Sequence, residues 1–465
     1  MSAIERCIYL QKICAVVLCA GDGKRMKSEK PKVMCEVLFK PMVNWICDAL
    51  CEMGINDICL VCSDKSDLVQ KAVPQAEVVL QTERRGTGHA VMQAKEFLSR
   101  YSGGDCVVLC GDAPFMSAEV IGGAYAQHKT AGCAMTVITA ELCEPFGYGR
   151  IVRDSQTGFV SGIVEQADTD SATSPIKEVN SGGYIFKTDF LIEAIANLTT
   201  NNKQNEYYLT EAVSYAVKNG LAVGGYKAAQ ADVILGANDR AQLLHLNEVA
   251  RLRNIKKALE SGVELLSTDG VIITDKAEIG HDTRILPNTI LRGKIKIGKG
   301  CVIGPNAVLS NVTVGDNTVI NASQATEAVI GSGVNIGPFA YIRPNCTIAD
   351  GVKVGDFVEL KNSNIGEKTS IAHLTYIGDS DIAGGVNMGG GIITCNYDGK
   401  NKYRTVIEAN SFVGCNTNLV APVKVGEGAY IAAGSTITED VPKNALSVAR
   451  ARQVNKEGWN DKRHK

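Results

Sequence analysis

The chain has 465 residues, 45% hydrophobic and 21% charged, which at roughly 100–200 residues per domain predicts two or three packed domains and excludes wholesale disorder. Lysine plus arginine number 48 against 50 aspartate plus glutamate, a formal charge of −2, so no basic field exists for nucleic acid or an anionic membrane. No apolar run reaches the ~18 residues of a membrane span, the opening MSAIERCIYLQK reads as no secretory signal, and 16 cysteines at mostly apolar positions suit small core residues kept reduced in a cytoplasm.

The first half alternates strand-like and helix-like segments. Short apolar runs at Cys14–Ala20, Ile58–Cys62, Val78–Leu80 and Cys106–Cys110 lack polar alternation, which predicts strands buried on both faces of a largely parallel sheet. Helical patterns lie between them at Met42–Met53 and Gly88–Tyr101. Later strands at 134–140, 149–154, 158–165 and 182–187 follow one another closely, so the sheet is expected to be partly antiparallel. Cys59 and Cys62 have CxxC spacing, but no second pair answers them, and ICLVC reads as a buried strand rather than a zinc site.

The densest signal is the run from Leu18 to Lys32, LCAGDGKRMKSEKPK. A strand ends in a Gly-rich turn, and the cations Arg25 and Lys32 follow seven residues apart. Backbone N–H groups in such a turn can approach phosphate oxygens because glycine has no Cβ to block them. It is not a dinucleotide fingerprint, since Met26 stands where the third glycine belongs, and no GK[ST] makes it a Walker loop.

Asn238–Asp239 can cap a helix running to about Ser261, before Gly262. Leu243, Leu246, Val249, Leu252, Ile255 and Leu259 give it an apolar stripe. After it the period becomes six: Ile279, Ile285, Leu291, Ile297, Ile303 and Leu309, then Ile330 to Leu360, Ile365 to Ile377, and Ile407 to Ile437. Six fits neither a helix nor a single strand. It fits a coil in which each hexad makes one short strand and one turn, its aliphatic residue pointing inward. Glycines after the aliphatic position, such as Gly298, Gly304 and Gly414, are expected to serve the turns. The repeat breaks at Thr394–Thr405, TCNYDGKNKYRT, which must loop outwards from the coil, as functional loops on rigid scaffolds do. Arg343 and Lys361 are three hexads apart, so they should share one face, one layer apart. His373 and Tyr376 lie near one corner, and Asn396 and Tyr397 come from the excursion.

The hexads resemble the hexapeptide-repeat family, which implies a left-handed parallel β-helix and usually a trimer. The Leu18–Lys32 run resembles the signature of sugar-1-phosphate nucleotidyltransferases. From Ile13 to Trp459 the chain resembles the bifunctional bacterial N-acetylglucosamine-1-phosphate uridyltransferase/glucosamine-1-phosphate N-acetyltransferase family. The implied fold is α/β: a mixed-sheet, Rossmann-like nucleotidyltransferase domain (1–237), a linker helix (238–262), and a left-handed β-helix acetyltransferase domain with a C-terminal tail (263–465).

The resemblance implies a UTP site at Leu18, Cys19, Ala20, Gly21 and Lys32, with Gln81, Gly86 and Thr87 reading uracil, and a catalytic role for Arg25 and Lys32 in neutralising the phosphates. Cys110-Gly111-Asp112 ends an apolar strand, where Cys110 replaces the family's usual aromatic residue. Asp112 and Asn238 would bind Mg²⁺, a hard cation suited to oxygen donors and phosphates; Asn238 also has its helix-cap reading. Gly149, Glu165 and Asn180 would contact the sugar and its N-acetyl group. In the second half, His373 would be the general base that takes a proton from the attacking amine, and Arg343 and Lys361 would hold the sugar phosphate. Tyr376, Asn387, Asn396 and Tyr397 add sugar contacts. Gly390, Asn396, Tyr397, Cys415, Ala433 and Arg450 would contact acetyl-CoA; Gly390 stands where alanine is usual and Cys415 where serine is. The basic end, Lys462 to Lys465, would close a neighbouring subunit's acetyl-CoA site.

The expectation is a cytoplasmic homotrimer that acetylates glucosamine 1-phosphate with acetyl-CoA and then transfers uridylyl from UTP to N-acetylglucosamine 1-phosphate, with no nucleic acid or membrane partner. The rival readings are a nucleotidyltransferase for another sugar with a purely structural or regulatory β-helix, and a non-enzymatic scaffold. His373 with the NYDGKNK loop speaks against the first; Arg25, Lys32, Asp112 and Asn238 speak against the second.

Overall fold

The run Ile13–Leu18, apolar at every position, forms a strand (β1) buried on both faces. The computed structural model describes residues 12–463 apart from 22, 64, 65, 203 and 462. Asp22 of the Gly-rich turn, the opening residues through Gln11, and Lys462, His464 and Lys465 of the basic end lie outside the described residues.

Eight more strands complete the first sheet: β2 (Ile58–Cys62), β3 (Glu77–Leu80), β4 (Asp105–Cys110), β5 (Met135–Glu141), β6 (Arg150–Arg153), β7 (Val160–Val164), β8 (Glu178–Lys187) and β9 (Val223–Lys227). The order is β9-β5-β8-β4-β1-β2-β3, with the antiparallel β6–β7 pair joined to β8. β1 runs parallel to β2 and β4, whereas β8 is antiparallel to β4 and β5. The sheet is therefore mixed, as the spacing of the later strands predicted. Cys59 packs in the core on one side of the sheet and Cys62 in the core on the other. Residues three apart on a strand point to opposite faces, so this CxxC cannot close on one ion.

Helices α1 (Met42–Glu52), α2 (Ser66–Ala72), α3 (Thr87–Gln93), α4 (Lys95–Ser99), α5 (Ala118–Ala131), α6 (Thr188–Ala196) and α7 (Glu211–Lys218) accompany the sheet. The single helix expected over Gly88–Tyr101 is two, because the backbone leaves helical geometry at the buried Ala94 (φ −88°, ψ 11°). The strand order reverses between β1 and β4: the chain builds outward to β2 and β3 on one side and to β4 and β8 on the other. In an open α/β sheet that reversal leaves a crevice at the strands' carboxyl ends, where ligands bind. The Gly-rich turn and Cys110–Asp112 stand at that end.

The chain divides into two compact units at Glu248/Val249, inside helix α8 (Arg240–Glu260). In the first unit, Asn247 Oδ1 accepts a bond from the Leu38 N–H at 2.9 Å. In the second, Ile255 and Ala258 join the core. The helix exists as expected, and Leu243, Leu246 and Ile255 of its stripe are buried, but the rest of the stripe differs. Ala250 and Ala258 are buried, while Leu252 and Leu259 are about half exposed (49% and 48%). Strict steps of three and four drift around a helix of 3.6 residues per turn, and the buried line runs through Leu243, Leu246, Ala250, Ile255 and Ala258.

The second unit is a coil of short parallel strands from Glu264 to Ser447. Successive coils pair in register, for example Ile285 with Ile303, Ile336 with Val354 and Val413 with Ile431. The hexad aliphatics from Ile285 to Ile437 form its buried core, and Ile279 is half-buried at its start. The glycines divide: Gly304 sits at φ 103°, as a turn reading expects, whereas Gly414 corrects that reading. A Cβ on Gly414 would lie 2.5 Å from the Ala433 nitrogen and 2.7 Å from the Ile431 oxygen, so this glycine is required by close stacking of coils rather than by its own turn. Many left-handed corners are instead filled by asparagine, including Asn288, Asn306, Asn317, Asn410 and Asn416, the residue that best tolerates that region after glycine.

Candidate functional site

The first unit holds two adjoining cavities at the carboxyl end of its sheet. One, about 480 Å³, is lined by residues that include Leu18, Ala20, Gly21, Lys32, Gln81, Gly86, Thr87, Cys110 and Asp112. The other, about 490 Å³, shares Leu18, Thr87 and Cys110 and adds Glu165, Asn180 and Tyr184.

Pro31 fixes an extended backbone ahead of a 3₁₀ turn that begins at Lys32. Lys32 Nζ forms an ion pair with Asp112 and donates to Asn238 Oδ1 at 2.9 Å. Three residues far apart in sequence thus meet at one point. The cap reading of Asn238 resolves here: Asp239 Oδ1 caps the helix by accepting the Gln242 N–H at 2.9 Å, and Gln242 Oε1 accepts the Asn238 N–H at 2.7 Å. That leaves the Asn238 side chain to meet Lys32, which lines the first cavity. Asp112 and Asn238 present two hard oxygens converging on a positive charge, a donor set that fits Mg²⁺. Among the described residues no group of three or more His, Cys, Asp or Glu stands ready to hold a metal, so further ligands at this point would be phosphate oxygens or water.

Gln81 is buried, and its Nε2 donates to the Gly86 carbonyl at 3.1 Å and meets His89 Nδ1 at 3.2 Å. Gly86 sits at φ 106°, where a Cβ would fall 2.5 Å from the Tyr207 oxygen; only glycine allows that approach. Thr87 Oγ1 accepts the Leu209 N–H at 3.1 Å and so ties the loop before α7 to the pocket. In the neighbouring cavity, Asn180 stands at a register shift of β8 against β5, and a bulge re-aims side chains beside a site. Its Nδ2 donates to the Tyr184 hydroxyl at 2.7 Å, and its Oδ1 accepts the Gly182 N–H at 3.0 Å. Burial pushes the Glu165 carboxyl up from its ordinary value, although Thr210 donates to it at 3.1 Å. A Cβ on Gly149 would lie 3.3 Å from Glu165 Oε2, so Gly149 leaves room for that carboxylate.

Five expected residues, Cys19, Arg25, Gly111, Gly149 and Asn238, stand outside the lining of these cavities. Arg25 is exposed on the short turn Lys24–Met26. Cys19 is buried, with its thiol beside that of Cys62; Gly111 packs on Cys19, where a Cβ would come within 2.8 Å of its sulfur. Arg84, Glu206 and Thr210 line the cavities without having been singled out from the sequence.

In the second unit, the register Ile342–Leu360 sets Arg343 one coil before Lys361, the layering that three hexads predict. Arg343 pairs with Glu359 at 2.8 Å. The Lys402 amine beside it, then desolvation, pulls the Lys361 ammonium below the ordinary lysine range, while Asp379 opposes the shift. Asp379 accepts from Asn362 Nδ2 at 2.5 Å and from Asn396 Nδ2. Burial would raise this carboxyl, yet those bonds and the two lysines hold it below its ordinary range. Tyr376 reaches along its strand towards Asn396: a Cβ on Gly378 would lie 2.7 Å from Tyr376 Cζ and 2.9 Å from Asn396 Nδ2. The excursion is a small hairpin closed by a Tyr397–Lys402 bridge, with Asp398 accepting the N–H groups of Lys400 and Asn401. A cationic cluster of Arg343, Lys361 and Lys402 therefore faces Tyr376 and Asn396, while Tyr397 is exposed at the loop's edge.

His373 ends the strand Ser370–His373, and a two-residue corner separates it from Tyr376. Its Nδ1 lies 2.6 Å from Asp356 Oδ1, one coil earlier. On the next coil a Cβ at Gly390 would be 3.4 Å from His373 Cβ. Beyond that lies the exposed Cys415, then Ala433, whose nitrogen abuts Gly414, and Arg450, whose Cδ is 3.6 Å from the Cβ position of Gly434. Gly390, Cys415, Ala433 and Arg450 thus follow one edge in coil order, whereas the expected acetyl-CoA residues Asn396 and Tyr397 belong to the excursion. Asn387 is aligned with Ser370 and Phe412, three residues before Gly390, and no described contact ties it to the cluster. Lys402, Asp379 and Asp356 were not legible as site residues one by one. The signal that finds the two acids is the coil itself, since each precedes its partner by 17 residues.

Residues 14–233 match the nucleotidyl transferase family model, and residues 276–311, 327–362 and 404–439 match the bacterial transferase hexapeptide (six repeats) model. The chain is similar to the bifunctional protein GlmU of Geobacillus sp. (strain WCH70), 44% identical over 96% of this chain and 97% of the relative. It is also similar to that of Acetivibrio thermocellus, 44% identical over 97% of each chain, and to that of Clostridioides difficile (strain 630), 42% identical over 97% of this chain and 98% of the relative.

Proposed function

The chain belongs to the family of bifunctional GlmU proteins, and from that membership we propose the following division of chemistry between its two units. The enzyme transfers acetyl from acetyl-CoA to the amine of glucosamine 1-phosphate. It then transfers uridylyl from UTP to N-acetylglucosamine 1-phosphate and releases pyrophosphate, giving UDP-N-acetylglucosamine for cell-envelope polysaccharides.

In the second unit, Arg343, Lys361 and Lys402 hold the sugar phosphate, a task that concentrated cationic donors perform well. His373 accepts a proton at Nε2 as the amine nitrogen attacks the thioester carbonyl. The N–C bond forms, the C–S bond breaks, and coenzyme A leaves as its thiol, carrying the proton that His373 took up and returns. In the first unit, the sugar phosphate oxygen attacks the α-phosphorus of UTP and the bond to the β-phosphate breaks. Both reactants are anionic, and two unit charges 4 Å apart interact by about 4 kcal/mol at an effective dielectric of 20. Lys32 offsets part of that repulsion, so the work is positioning and neutralisation rather than covalent catalysis. Asp112 and Asn238 would hold Mg²⁺, which when bound adds positive charge against the phosphates. Gln81 and the Gly86–Thr87 turn orient the base; Glu165 and Asn180 orient the sugar. The enzyme is expected to act in the cytoplasm as a homotrimer.

The observation that carries this reading is the presence of two separate polar sites, one at Lys32–Asp112–Asn238 and one at His373 with the Arg343–Lys361–Lys402 cluster, in a chain of this family. Mixing the protein with acetyl-CoA, glucosamine 1-phosphate, UTP and Mg²⁺, and following thiol and pyrophosphate separately, tests it. Both signals are expected, with pyrophosphate dependent on prior acetylation. Pyrophosphate without thiol would favour a nucleotidyltransferase with a structural β-helix.

The two activities should also separate physically. Residues 1–262 keep Asn238 and the whole of α8, and should release pyrophosphate from UTP and N-acetylglucosamine 1-phosphate but acetylate nothing. Val233 and Ile234 are buried in the core of the first unit, so a chain stopped before them loses packing as well as Asn238. Asn238→Ala within the longer fragment is the cleaner test of that ligand.

A further inference from the structure

His373 and Asp356 form a pair that the acetyl-transfer reading leaves without a role for the acid. The coil pairs Asp356 directly with His373, and Nδ1 lies 2.6 Å from Oδ1. The hydrogen bond from the imidazole holds the Asp356 carboxyl below its ordinary range. An ionised carboxylate only accepts, so Nδ1 must carry the hydrogen, and in the neutral ring the lone pair is then on Nε2. Extending the Ile336–Val354 register by two residues puts Pro338 before Asp356, and Gly390 follows His373. Neither bears a charge; the next titratable group on this line is the Cys415 thiol, two coils beyond His373. Glu359 is engaged by Arg343, and no other ion pair engages Asp356 among the described residues. The pair is also solvent-exposed, His373 at 63% and Asp356 at 37%, and exposed ion pairs add little to stability. A stability role therefore explains it poorly.

We infer that Asp356 is a positioning residue for acetyl transfer: its carboxylate grips Nδ1–H, fixes the ring's orientation and tautomer, and thereby presents Nε2 to the substrate amine. As Nε2 takes the proton, the same carboxylate faces the imidazolium that forms and stabilises it. This rests on the reading of His373 as the general base.

The test is a double-mutant cycle on the full-length enzyme, measuring kcat and KM for acetyl transfer. Asp356→Ala should lower kcat by about tenfold or more, as loss of an orienting partner does elsewhere, with KM for glucosamine 1-phosphate and acetyl-CoA within about twofold and melting unchanged. Asp356→Asn keeps an oxygen acceptor without the charge and should fall between. In a His373→Ala background, Asp356→Ala should change the residual rate little, because a residue acting through the imidazole has nothing left to position. An unchanged kcat in Asp356→Ala, a loss carried by KM, or an equal loss in both backgrounds would overturn the inference while leaving His373 as the base. Normal acetyl transfer in His373→Ala alone would overturn the base assignment itself, and the inference with it.

Discussion

Replacing His373 by alanine should lower acetyl transfer by about 10²–10⁴-fold, the usual contribution of a general base, and leave uridylyl transfer from UTP to supplied N-acetylglucosamine 1-phosphate untouched. The geometry makes the expectation specific. His373 is exposed, ends its strand at a corner, and sits between Asp356 on one coil and the unobstructed Gly390 on the next. Removing the imidazole deletes no core packing, so mass and melting temperature should stay at their wild-type values. The paired assay reads coenzyme A thiol for one reaction and pyrophosphate for the other. A variant with normal thiol release would return His373 to the role of a solvated surface residue and leave the second unit without its catalyst.

Asp112→Asn should separate the activities in the opposite sense. Uridylyl transfer should fall by about 10²–10³-fold, the range for removing one preorganised electrostatic group from a charge-stabilising site, with acetyl transfer unchanged. The substitution keeps shape but removes the anion that shares Lys32 with Asn238. Mg²⁺ binds proteins through one or two carboxylates plus substrate phosphates, and Asp112 is the carboxylate at this point of the pocket. Raising Mg²⁺ should recover part of the rate. If uridylyl transfer at limiting Mg²⁺ matches the wild type, Asp112 is only the residue that turns the chain after β4.

The local chemistry of the sequence was enough for several features. Unbroken apolar runs announce strands buried on both faces, because a strand with no polar alternation has no side to turn to water. The six-residue period announces the coil, because only a strand-and-turn repeat keeps every sixth aliphatic inside. The run from Leu18 to Lys32 announces a turn at the end of a buried strand, and Gly21 and Lys32 line the cavity there. The cap at Asn238–Asp239 announces a helix, but not which of the two residues caps it.

Tertiary structure decided the rest, wherever the answer depends on what lies across a strand register or a loop. Lys32, Asp112 and Asn238 meet only because the strand order reverses between β1 and β4 and α8 returns to that crevice. Arg25 has the right residue type at the right spacing, yet it points to solvent from its short turn. Leu252 and Leu259 are hydrophobic and rightly spaced, yet the buried line of the helix runs through Leu243, Leu246, Ala250, Ile255 and Ala258. The acids Asp356 and Asp379 are ordinary carboxylates in the linear chain. They acquire partners because at these two coils residue i lies beside residue i+17, bringing one to His373 and the other to Asn396. Composition and pattern determine which surfaces must be buried, since that free energy is local and additive along an element. Which polar side chains converge is set by the register between elements, and that register exists only once the chain has folded.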